Sequence, residues 1–86
     1  MKKNVLLILV GKRTEKAEEV QKLLTGWGCF IKTRLGLHSG VLNSCSDEGL
    51  IFLELVGEKG RHEELRAKLD GLPGVSARLV ELEVEG

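Results

Sequence analysis

The sequence predicts an α+β fold with element order β-α-β-β-α-β, in which two helices cover one face of a four-stranded antiparallel sheet. Three observations carry this. Two segments repeat apolar residues at three- and four-residue steps, four others are apolar runs or alternate with period two, and glycines punctuate the boundaries. The 86 residues leave room for one domain, spanning 1–86, and for no second.

Val5 to Val10 is an unbroken aliphatic run closed by Gly11, too short for a buried helix, so it reads as a strand covered on both sides. Thr14 is placed to cap the next segment, with Glu15 and Glu18 in the first turn. Ala17, Val20, Leu23, Leu24 and Trp27 form one apolar stripe, and Glu18 and Lys22 pair on the wet side. Gly26 and Gly28 flank the expected end, where a left-handed residue would close the helix.

From Cys29 to Leu37 the period becomes two, with Cys29, Ile31, Thr33, Leu35 and Leu37 on one side and Phe30, Lys32, Arg34 and Gly36 on the other. A third strand runs from Leu50 to Val56, apolar on nearly both sides. Gly57 and Gly60 bracket the turn into a second helix, whose buried line is Leu65, Leu69 and Leu72 and whose exposed pair is Glu64–Lys68. Gly71 and Pro73-Gly74 stop it. The last strand, Val75 to Val84, slips phase at Leu79-Val80, which predicts a bulge or an edge position. This is the ferredoxin-like sandwich. Right-handed crossovers make the first and third strands central, and those are the two most apolar strands.

Thirteen basic residues balance thirteen acidic ones, which argues against a chain that neutralises a row of phosphates by itself, so no direct nucleic-acid binding is expected. No apolar stretch approaches the ~20 residues of a membrane span. Met1-Lys2-Lys3 before an apolar run imitates a leader, but Lys12-Arg13 follows without a small-residue cleavage site, and a cytoplasmic location is expected. Cys29 and Cys45 are too few for a disulfide framework.

Two helices cover one side of a sheet, so the other side needs a reason to be apolar. Leu50, Phe52 and Val56 are expected there, with an alternate set from the first strand, Leu6, Ile8 and Val10. Such a face predicts self-association, as a homodimer or tetramer. Glu54 in its midst requires Lys32 or Arg34 beside it.

The connection from Ser39 to Glu48 is about twice the usual hairpin length and rich in small polar groups, Asn43 among them. His38 and Cys45 are spaced to reach one transition metal such as zinc, if Asp47, Glu48, Cys29 or a second subunit completes the set. His62 reads as a surface residue. Gly11-Lys12-Arg13-Thr14 precedes a helix but lacks the spacing of a phosphate loop. No aromatic platform for RNA, no C-x-x-C and no nucleophile–base pair is visible, so no enzyme is expected.

The stretch Ile31-Lys32-Thr33-Arg34-Leu35-Gly36-Leu37-His38, then the loop, then Gly49-Leu50-Ile51-Phe52-Leu53-Glu54-Leu55, and finally Leu72-Pro73-Gly74-Val75, resembles the iron-only hydrogenase system regulators of anaerobes. That family has an R-x-G strand, a loop, an apolar strand and an L-P-G-V turn. It is similar in turn to ACT domains and to the metal-sensing domain of the nickel-responsive repressor. The resemblance implies a non-enzymatic regulatory module that takes a small-molecule or metal effector near the loop, with Arg34, Gly36 and Asn43 as loop-side candidates. It also implies metal ligands at the places of His38 and Cys45. Arg34 and Gly36 stand where the repressor would have further strand histidines, so a nickel-dependent repressor is not expected. The alternative reading is a metal-binding protein using His38 and Cys45 at a subunit interface.

Overall fold

In the computed structural model, which describes residues 1–11, 13–38 and 49–85 (13–17, 37 and 38 by backbone alone), the predicted order is realised. β1 spans Lys2–Val10, α1 Arg13–Gly26, β2 Ile31–His38, β3 Gly49–Leu55, α2 Lys59–Asp70 and β4 Val75–Glu83. The sheet order is β2-β3-β1-β4, antiparallel throughout, so the two most apolar strands are the central ones.

Parity decides what each strand contributes. Leu6, Ile8 and Val10 align with Leu53, Ile51 and Gly49 on one side and with Leu79, Ala77 and Val75 on the other, and all three are buried in the core. They are therefore not on the open face, where the aliphatic run was expected to place them. An unbroken run carries no parity signal, and the helices took the even set. Val20, Leu24, Trp27, Leu65 and Leu69 cover that side.

Strand β2 departs from the simple alternation as well. Cys29 and Phe30 belong to a 3-10 turn at Gly28–Phe30, and the strand begins at Ile31. Register shifts between Ile31, opposite Leu55, and Thr33, opposite Glu54. This bulge puts Ile31 with the core and Thr33 and Leu35 on the open face. Arg34 consequently lies on the helix side, where its guanidinium donates to the Gln21 side chain of α1.

Helix α1 begins at Arg13, so Thr14 is inside its first turn rather than capping it. Its end needs no left-handed glycine. Trp27 N–H reaches Leu23 and Leu24 carbonyls and the chain tightens into the 3-10 turn. Positive φ is instead used at Gly57 (89°) and Gly74 (77°). A Cβ on Gly57 would also stand 2.9 Å from the Phe30 ring, which meets Trp27 at a tilted 48° and has the Arg61 guanidinium over it. Glu64 pairs with Arg61 at 2.9 Å, one turn back, rather than with Lys68. β4 runs in continuous register with β1, an edge strand without a bulge, and Asp70 at the end of α2 accepts from Ala77 N–H at 3.0 Å.

His62 is buried, not on the surface. Its Nε2 lies 2.6 Å from the Val56 carbonyl, which can only accept, so that nitrogen carries the proton. Nδ1 has no partner among the described residues.

Candidate functional site

The odd residues of β1 and the even residues of β3 and β4 share the uncovered side of the sheet. Four cross-strand rows follow from the register. Leu50, Leu9 and Ser76 make one; Leu35, Phe52, Leu7 and Arg78 the next; Thr33, Glu54, Val5 and Val80 the third; Lys3 and Leu82 the last. Leu9, Leu35 and Leu82 are about half exposed, at 52%, 50% and 57%, and Val5, Leu7, Leu50, Phe52 and Val80 are half-buried by one another. The apolar centre comes from the two middle strands, with Glu54 and Lys3 toward one end of those same strands and Ser76 and Arg78 on the edge strand β4. Of the residues expected here, Leu50 and Phe52 are in place, and Val56, just past the strand, is exposed. Leu7, Leu9, Val80 and Leu82 were missed. Period-two counting in β4 from Arg78 would have found the last two.

Glu54 is the carboxylate of this face. Lys3 Nζ stands 3.0 Å from its Oε2 and Lys32 Nζ 4.0 Å, while Arg34 is on the other side of the sheet. The hydrogen bond from Lys3, opposed by desolvation and helped by the charges of Lys3 and Lys32, holds the carboxyl below its ordinary range. A carboxylate with a lowered folded-state value stabilises the fold above its unfolded value, and that contribution disappears as pH falls through the folded one. Glu54→Gln is therefore expected to differ from wild type in urea midpoint above about pH 5 and to converge with it near pH 2. A constant offset across that range would show the triad to be electrostatically idle. The groups are solvent-accessible, so the difference is small.

At one end of the sheet, Val10 aligns with both Gly49 and Val75, His38 pairs with Gly49, and Gly11 N–H donates to the Gly74 carbonyl at 2.8 Å. Leu9, Gly11, Gly74, Val75 and Ser76 line an open depression there, close to the start of α1. The His38 side chain and Asn43, Cys45, Asp47 and Glu48 lie outside the described residues. Cys29 does not join His38. It precedes β2 while His38 ends it, a separation of roughly 23 Å or more at ~3.3 Å per residue. His62, bonded to Val56 beyond β3, is also at the far end. Among the described residues no three His, Cys, Asp or Glu side chains are grouped to hold a metal ion. Gly36, opposite Ile51, has open space where a Cβ would go, so packing among the described residues does not demand glycine there. No helix among the described residues is long and apolar enough to cross a membrane.

No family model matches the chain, and neither does any curated protein. Solved structures do. TM1266, an uncharacterised protein of Thermotoga maritima, is similar with a TM-score of 0.79 and 27% identity, covering 96% of this chain and 100% of that one. CPII of Thiomonas intermedia K12, a nitrogen regulatory PII-like protein with ADP, AMP and bicarbonate bound, gives 0.65 and 13%, covering 100% and 96%. A dimeric ferredoxin-like protein from an uncultured marine organism gives 0.57 and 8%, covering 96% and 94%. At such identities the last two share the fold with this chain.

Proposed function

We propose that this chain is a non-enzymatic, small-ligand-sensing regulatory module that works as a homo-oligomer joined through the open face of its sheet. The observation that carries the reading is the anatomy of that face, an apolar centre of Val5, Leu7, Leu50 and Phe52 on β1 and β3 with the Lys3–Glu54 pair toward one end of those strands. Interfaces are built this way, and sheets stack face to face at about 10 Å. Four strands ~4.8 Å apart and about eight residues long project roughly 500 Å², the lower end of what a specific contact covers per partner. Such a contact is tunable, as a sensor requires.

Ligand sensing draws support from the PII-like neighbour solved with two nucleotides and bicarbonate, and pairing from the dimeric one. The likeness of Ile31 to His38 and of Leu72-Pro73-Gly74-Val75 to iron-only hydrogenase system regulators supplies the finer reading, control of that enzyme system. Light scattering of the purified chain at low micromolar concentration tests the core of the proposal. A dimer or larger species is expected, with Phe52→Asp shifting it to monomer while the circular dichroism stays native. A monomer in wild type, in chloride and in oxyanion buffers alike, ends the reading.

A further inference from the structure

Resting on the open-face reading, we propose that pairing of two copies is gated by a small oxyanion, a carboxylate or phosphate group, held by Arg78 at the margin of that face. Among the described residues this face presents Lys3, Lys32 and Arg78 against the single carboxylate of Glu54. The surplus is two positive charges per copy, and stacking two such faces sets like charge against like.

The three cations are not equivalent. Lys3 and Lys32 both converge on Glu54. Arg78 has no ion-pair partner among the described residues, though it shares the row of Leu35, Phe52 and Leu7, the most apolar row with an aromatic in it. Covering that row removes water from a guanidinium that cannot shed its charge. An unpaired cation in a covered contact weakens the pairing, unless an anion meets it. A guanidinium takes carboxylate or phosphate oxygens two at a time, which names the ligand class. Because β4 is an edge strand, the margin beside Arg78 stays reachable by a small anion after the centre has closed. The anion then binds the paired state better than the separate subunits and shifts the equilibrium toward it by that difference.

The test is sedimentation velocity of the full chain in sodium chloride and in sodium phosphate or sodium acetate at equal ionic strength, so that general screening is common to all. Wild type is expected to associate about tenfold more tightly in one oxyanion buffer than in chloride, a factor worth ~1.4 kcal/mol. Arg78→Gln should bring that ratio to one and pair more tightly than wild type in chloride. Lys22→Gln, on the exposed side of α1, should keep the wild-type ratio. The phosphate and acetate arms separate the two oxyanion sources. Equal pairing of wild type in all three salts, or an unchanged ratio in Arg78→Gln, overturns the gate while leaving the open-face reading intact. A wild-type monomer in every buffer sinks that reading itself.

Discussion

Leu6→Ala is expected to lower the unfolding free energy by about 3 kcal/mol, whereas Leu7→Ala, one residue on, costs under about 1 kcal/mol in the separated subunit. Leu6 is fully buried, aligned with Leu53 and Leu79 beneath the helices. Truncating it removes its transfer energy and leaves a cavity whose walls are two strands fixed by their ladders, so little collapse can offset the loss. Leu7 stands on the other face, half-buried and aligned with Phe52 and Arg78. The second readout inverts the order. Leu7→Ala should weaken self-association at least several-fold, and Leu6→Ala should leave it unchanged at temperatures where the variant is folded. Urea titration at a concentration below the pairing midpoint measures the first effect, and sedimentation the second. Equal stability losses for the two variants would mean that the parity of β1 has been misassigned.

Why β1 parity had to come from the structure is instructive. Period-two reasoning places a side chain only where polar and apolar residues alternate, and Val5 to Val10 is apolar at every position. The order of elements, the central position of β1 and β3 and the edge position of β4 were legible, because they depend on where periods change and on crossover handedness. In β2 the alternation was visible but misleading. The bulge between Ile31 and Thr33 inverts the strand after its first residue, which sends Arg34 toward α1 and Leu35 outward. Bulges leave faint traces in composition, and Lys32 is the residue at which two face one. For the expected ligand set, the backbone places His38 and Cys29 at opposite ends of β2, a separation that the expected strand from Cys29 to Leu37 already implied.

The buried histidine was a different kind of miss, since its signal was present. His62, Leu65, Leu69 and Leu72 fall at steps of three, four and three, one continuous helical stripe. Read as a surface residue, His62 was left out of that stripe, yet a neutral imidazole is a flat ring with one donor to place, and the carbonyl of Val56, just past β3, takes that donor. The bond ties the first turn of α2 to Val56, the residue that follows β3 and leads into the helix, beside the cluster of Trp27, Phe30 and Arg61. Two losses are therefore separable by substitution. His62→Ala removes the ring and the donor together, and a drop of about 3 kcal/mol in unfolding free energy is expected. His62→Phe keeps a buried ring, somewhat larger than imidazole, forfeits the bond to Val56 and deletes the unpartnered Nδ1, so its cost should be about 1–2 kcal/mol, one hydrogen bond plus the strain of the larger ring. Chemical denaturation at pH 8 gives both numbers. If the phenylalanine variant fell as far as the alanine one, the hydrogen bond rather than the packed ring would be what fastens α2 to the sheet.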